Sequence, residues 1–245
     1  MIRQLREAAS ASGTDHPLLH SPTPPVGKSL LLVITSNRGL CGAYNGHILR
    51  EATRFLNEQD AQVELQVVGR KGMNFFRFAG IEVNRFLQHF DDEPSYDQVN
   101  ELAEQYLKAF TEGQYDAIRV LSMHFESSSR QSPYVTQLLP LGELEGDDET
   151  EAAVKSKSAV EYDFSPSPEQ LLAELLPLAF KTALFQRFNE AVVSEHIARM
   201  VAMKAATDNS EQMGRSLKRQ YNRARQTQIT KELIEIVTGA NALGD

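Results

Sequence analysis

The pattern of apolar and polar positions changes period along the chain, and each change marks an element. Residues 29–35, "SLLLVIT", form a continuous apolar run, as in a strand buried on both faces of a sheet. Residues 45–57 place Ile48, Leu49, Ala52, Phe55 and Leu56 on one side of a helix. Residues 63–69 read as a second strand, and "RKGMNFFRFAG" as a short helix closed by Gly80. A helix over 96–111 gathers Val99, Leu102, Ala103, Tyr106, Leu107 and Phe110 on its apolar face. Residues 115–125 and 134–141 are a third and a fourth strand. Strands alternating with helices predict a mainly parallel, Rossmann-like α/β layer.

The two ends differ from this middle. Residues 2–10 are compatible with one or two helical turns, and residues 12–27, rich in Pro, Ser and Gly, read as an irregular connector. Residues 142–159, "GELEGDDETEAAVKSKSA", are acidic and poor in apolar side chains, and predict an exposed loop. Beyond it, helix-favouring residues run almost unbroken, with Pro177 expected to kink or divide the helix. Residues 178–237 alone would span about 90 Å at the helical rise. A helix of that length cannot be covered by a small α/β domain and needs a partner. Val193, Ile197, Met200 and Met203 repeat at spacings of four and three, as do Met213, Leu217, Tyr221 and Ala224, and then Ile229, Leu233, Ile236 and Ala240. These are coiled-coil-like stripes, broken at "KAATDNSEQ". The domain reading is therefore 1–28 as helix remnant and connector, 29–165 as the α/β domain, and 166–245 as the long helix.

Charge adds one feature. The 245 residues carry a formal net charge of −8. Residues 196–231 carry +6, leaving −14 on the rest. A basic segment on an acidic chain suits an acidic partner surface, or else a solvated helix face. The single cysteine excludes an internal disulfide framework and any multi-cysteine metal site.

Enzyme motifs fail one after another. The glycines of "GLCGAYNG" have the wrong spacing for a dinucleotide fingerprint. "GKS" at residues 27–29 has Pro22 where a phosphate-binding loop needs glycine, and it precedes its strand. Cys41 has His47 six residues on, but a nucleophile needs a base in contact; a small residue in a tight turn is the simpler reading. The histidines have no metal-ligand spacing. No cofactor and no metal is expected.

The same stretches fit a family together. "SNRGLCGAYN" (residues 36–45) resembles the Arg-Gly-Leu-Cys-Gly loop of the gamma subunit of F-type ATP synthase. "SEHIARMVAMKAATDN" (194–209) resembles that family's most recognisable stretch, and "YNRARQTQITKELIEIVTGANAL" (221–243) its C-terminal signature, with Thr238 where serine is commoner. The resemblance implies a non-catalytic central-stalk rotor. Its fold is a Rossmann-like α/β domain between terminal helices that pair as an antiparallel coiled coil. Such a shaft turns inside a ring of alpha and beta subunits and rests on the epsilon subunit and the ring of c subunits. Proton flow through the membrane sector is thereby coupled to ATP synthesis and hydrolysis on beta. By resemblance, Arg225, Gln226 and Thr230 meet acidic and polar loops of beta. Glu232, Arg199, Met203, Lys204, Asp208, Arg38 and Cys41 complete the expected subunit interface.

The chain departs from the family at its start. The long N-terminal helix, one of the two strands of the shaft, has no counterpart here beyond a remnant in the first ten residues. A misassigned start codon is the expectation, over a fragment, a decayed gene or a divergent variant. No transit peptide is evident, which places the expected complex on the cytoplasmic face of a bacterial inner membrane. Two other function classes stay open on the residues alone. One is an α/β nucleotide-binding protein or enzyme with a helical oligomerisation arm; the other is a coiled-coil adaptor.

Overall fold

The computed structural model describes residues 16–59, 61–88, 90, 94–127, 130–141 and 168–242. Five strands form one sheet: β1 (Lys28–Ile34), β2 (Gln62–Val68), β3 (Arg85–Leu87), β4 (Ala117–Phe125) and β5 (Gln131–Leu139). Their spatial order is β3-β2-β1-β4-β5. The first four are parallel, and β5 runs antiparallel to β4. β1 pairs on both edges and is covered on both faces, and the second of these is why its sequence is apolar at every position from Leu30 to Ile34.

Alternate residues of β1 feed two separate cores. Leu31 and Val33 pack with Leu65, Val67 and Leu121 under two helices, α1 (Tyr44–Glu58) and α2 (Arg70–Ala79). Leu30, Leu32 and Ile34 pack with Ile118 and Val120 under α3 (Tyr96–Thr111) and the first part of α4 (Pro168–Ala242). The predicted α/β class and the long C-terminal helix are both present.

Local chemistry sets the element ends. Ser95 and Gln98 form a reciprocal capping box at the start of α3. Gly80 ends α2 in the left-handed conformation at φ 70°, as its position after the apolar run predicted. The Asp116 carboxylate accepts the backbone N–H groups of Val26, Gly27 and Lys28 at 2.7, 2.6 and 3.1 Å, tying the entry of β1 to that of β4.

Three expectations change. The fold has a fifth strand, β3, only three residues long and paired on one side to β2. The connector contributes to the core, since Leu18 and Leu19 are buried in the α3/α4 layer. Pro177, expected to kink or divide the long helix, lies inside a single helix from Pro168 to Ala242. Leu176 and Phe180 flank Pro177 and are both fully buried. Pro177 leaves the Ala173 carbonyl without its helical N–H partner, and the burial of Leu176 and Phe180 offsets that loss. Residues 2–10 and 142–159, read as helix remnant and acidic loop, lie outside the described residues.

The chain divides into two compact units, Met1–Arg199 and Met200–Asp245. The first holds the sheet, α1–α3 and the buried stripe of α4. The second holds the remainder of α4, where among residues 200–241 only Ala202 and Ser216 are even half-buried.

One glycine is tightly determined. Gly69 has φ 92°, and a Cβ there would sit 2.1 Å from the Thr35 carbonyl oxygen. Gly80, at φ 70°, has open space around it. Gly80→Ala is expected to cost about 1–2 kcal/mol for left-handed backbone alone. Gly69→Ala adds a clash with main chain, and its cost is expected at about 3–5 kcal/mol. Urea unfolding midpoints of the two variants check the order.

Candidate functional site

The glycine-containing loop after β1 is built from its own hydrogen bonds. Asn45, one residue into α1, is the hub. Its Oδ1 accepts the Ser36 N–H at 3.1 Å, and its Nδ2 donates to Ser36 Oγ at 2.7 Å and to Cys41 Sγ at 3.2 Å. Ser36 Oγ donates to the Arg38 carbonyl at 2.6 Å. Gly42 at φ 57° supplies one left-handed position, and Leu40 at φ 63° supplies another. Cys41 points inward, 2% exposed, with Ser36, Asn45 and the Arg38 carbonyl as its partners. None of these is a general base, and His47 is exposed. Arg38 and Leu40 form the outward side of the loop.

Four hydrogen bonds through Asn37 and Thr35 latch this loop to the end of β2 and to the segments that follow β2 and β3. Asn37 donates to the Phe90 carbonyl at 3.1 Å and accepts the Arg70 N–H at 3.2 Å. Thr35 Oγ1 donates to the Val68 carbonyl at 2.8 Å and accepts the Gly72 N–H at 2.9 Å. Gly72 therefore serves close packing: a Cβ there would meet Thr35 Oγ1 at 2.7 Å and Val67 Cγ1 at 2.9 Å.

In a doubly wound sheet, a nucleotide would lie beyond the carboxyl ends of the strands where the connections part. Here α4 crosses those ends. Glu190 Oε2 is 3.0 Å from His124 Nδ1, near the end of β4. The Tyr44 hydroxyl donates to the Ala191 carbonyl at 3.1 Å, and burial raises the Tyr44 pKa, with nearby Glu195 adding to the effect. The Phe90 and Phe188 rings stack with centroids 4.8 Å apart. What remains between Ile34, Val68, Phe188 and Glu195 is a cavity of about 20 Å³. That admits roughly one water, whereas ligand pockets run to several hundred Å³. No cluster of three or more His, Cys, Asp or Glu suited to a metal occurs among the described residues. No helix among them is long and apolar enough to cross a membrane.

The remaining residues of the expected interface lie on α4. Arg199 is half-buried and pairs with the buried Glu195 one turn back. Met203, Lys204 and Asp208 are exposed. Arg225, Gln226, Thr230 and Glu232 are exposed as well. Gln226 and Thr230, four apart, share one face; Arg225 and Glu232, seven apart, share a neighbouring one. Glu232 accepts from Gln228 at 2.7 Å, and the exposed pairs Arg215–Glu211 at 3.1 Å and Lys231–Glu235 at 3.8 Å brace the same stretch. Arg38 and Cys41 belong to the first unit and the residues from Met203 onward to the second. Tyr44 and Asn45 carry the loop's architecture, and sequence reasoning passed over both. Tyr44 reaches a carbonyl 147 residues away, a contact for which no local pattern exists.

The comparisons agree with one another. The family model described as ATP synthase matches residues 1–243. The ATP synthase gamma chain of Rhodopirellula baltica is 42% identical over 242 residues, covering 97% of this chain and 81% of its own. That of Exiguobacterium sibiricum is 43% identical over 238 residues, covering 96% and 80%. A chain in the Euglena gracilis mitochondrial ATP synthase structure (OSCP/F1/c-ring, rotational state 3) superposes with a TM-score of 0.61. It is 18% identical, with 99% of this chain and 86% of that one covered, a likeness of fold. A chain in the central stalk/c-ring structure of the Tetrahymena thermophila mitochondrial enzyme gives 0.57 at 24% identity, covering 84% and 86%. The chain belongs to the ATP synthase gamma-chain family.

Proposed function

We propose that this chain is the central-stalk rotor of an F-type ATP synthase, coupling ion translocation in the membrane sector to ATP synthesis and hydrolysis in the alpha/beta ring. The observation that carries the reading is the second unit. It is a helix bearing the family's sequence stretches and presenting Met213, Leu217, Tyr221, Ile229, Leu233 and Ile236 to its surroundings. An isolated helix with that many exposed apolar side chains is a packing surface awaiting partners. In this reading the α/β unit rests against the epsilon subunit and the c-ring. The complex sits peripherally on the cytoplasmic face of a bacterial inner membrane.

The chain contributes no catalytic residue and binds no nucleotide in this reading. The support is the α4 helix lying where a nucleotide would go, and a loop cysteine bonded to side chains that abstract no proton. What the rotor supplies is differential contact. A shaft that touches three equivalent sites unequally shifts their states by the difference in contact free energy, and by nothing else. Arg225, Gln226 and Thr230 are the proposed contacts with acidic and polar loops of beta, where charge-assisted hydrogen bonds are directional and comparatively strong. Arg199, Lys204, Asp208 and Glu232 extend the same surface, with Met203 as its apolar member, while Arg38 marks the loop end of the α/β unit. Cys41 lies beneath that loop and supports it.

Two outcomes follow. In the assembled enzyme, Arg225→Ala with Gln226→Ala is expected to lower ATP-driven proton pumping per ATP hydrolysed by about threefold to tenfold, the loss of roughly one ordinary net hydrogen bond. Unchanged pumping contradicts the assignment. Cys41 in the folded chain is expected to react with a water-soluble disulfide reagent at least about a hundredfold more slowly than in urea, since burial limits thiol access. Rapid modification of the native chain, followed by absorbance, contradicts the buried-hub reading of the loop.

A further inference from the structure

The helix α2 carries a surface that the rotor reading does not use. Gly72 and Phe76 hold its inner face on the sheet. The outward face shows Lys71, Phe75 and Phe78 in line at spacings of four and three. Phe78 is 92% exposed, the most exposed large apolar side chain among the described residues. Phe75 is held edge-on against the buried Phe76 at 5.6 Å between ring centroids, so its ring is pre-positioned. The line continues onto the loop after β1. Lys71 lies over Gly39, with its Nζ 3.7 Å from where a Cβ would be. Leu40, next in the chain, holds a left-handed backbone at φ 63° and is 73% exposed. A leucine in that conformation costs about 1–2 kcal/mol and presents its side chain to solvent; strain of this kind clusters at functional sites.

The charge around this stripe is of one sign. Arg70, Lys71 and Arg77 lie on α2, and no acidic residue does. Among the described residues none of the three makes an ion pair, including with Glu82, the next acid along the chain. Exposed aromatic rings rimmed by arginine are the composition of a binding core. Three cations fall short of the four to eight that a lipid-binding cluster gathers. Two of the three are arginines, whose planar fork matches a carboxylate.

We propose that this face, Leu40, Lys71, Phe75 and Phe78 with Arg70 and Arg77, docks an acidic segment of a partner protein. That segment places an apolar side chain against Phe78 and carboxylates against the cations. The proposal does not depend on the rotor assignment, because it uses α2 and one loop of the α/β unit alone.

The test is photo-crosslinking in the cell that makes the chain, with Phe78→p-benzoylphenylalanine in the full-length protein and sequencing of the attached peptide. The same probe at Gln226 reports separately on contact with alpha or beta, so the two readings fail independently. The expected product at position 78 is a peptide of another protein with two or more carboxylates and an apolar side chain within about one helical turn. Its yield is expected to fall about tenfold when Arg70→Glu, Lys71→Glu and Arg77→Glu are added, as like charge replaces attraction at each site. Circular dichroism and the thermal midpoint of the triple variant should match the parent, because all three side chains are exposed. Attachment to lipid, to a second copy of the chain or to a peptide without carboxylates overturns the proposal. So does an absence of product, or a yield unaffected by charge reversal in a folded variant.

Discussion

The placing of α4, and with it one of the two cores of the first unit, depends on one stripe of side chains. Leu172, Leu176, Phe180, Leu184 and Phe188 recur every four residues and are almost completely buried against Leu30, Leu32, Ile118 and Val120. Five such side chains contribute on the order of 10 kcal/mol of burial free energy, comparable to the whole net stability of a domain. That burial fixes the helix in register on the sheet. It also carries the helix past Pro177, which propensity alone would have made a break.

The same stripe decides the chemistry. Fixed in that register, α4 crosses the carboxyl ends of β1 and β4, and Phe188, Ala191 and Glu195 fill the place where a doubly wound fold holds its ligand. The fold has the strand order of a doubly wound layer, with a helix packed across its mouth. Past Arg199 the apolar residues persist but lose their cover. Small side chains at Ala191, Ser194 and Ala198 close the packed part, and the methionines beyond are exposed. Methionine suits a surface that must fit more than one partner geometry, because its unbranched thioether adapts at little cost.

Much of this was legible in the residues. The continuous apolar run of β1 announced a strand buried on both faces, and the 3.6-residue period of α1 and α3 located both helices almost to the residue. The stretches at 36–45, 194–209 and 221–243 carry the family in the sequence itself. What sequence did not carry was non-local. Strand β3 is three residues long, too short for any period, and exists because Val67 and Val68 offer it an edge. Leu18 and Leu19 looked like a proline-rich connector, because two leucines among prolines and histidines make no pattern until the α3/α4 layer closes over them. The start of α4 at Pro168 falls within the expected 166–245, but its unbroken passage through Pro177 rests on tertiary burial that local preference does not encode. At the loop, the glycines and Cys41 drew attention, while Asn45, whose side chain makes three of the loop's hydrogen bonds, did not.

The central claim is that this chain couples chemistry in the alpha/beta ring to ion movement without performing either. The most direct measurement is reconstitution of vesicles with alpha, beta, the remaining subunits and the membrane sector, lacking any gamma chain, and then adding this protein. The account predicts that ATP addition acidifies the vesicle lumen only when this chain is present, and that an uncoupler abolishes the gradient while hydrolysis continues. Hydrolysis without acidification in the presence of the bound chain would contradict it.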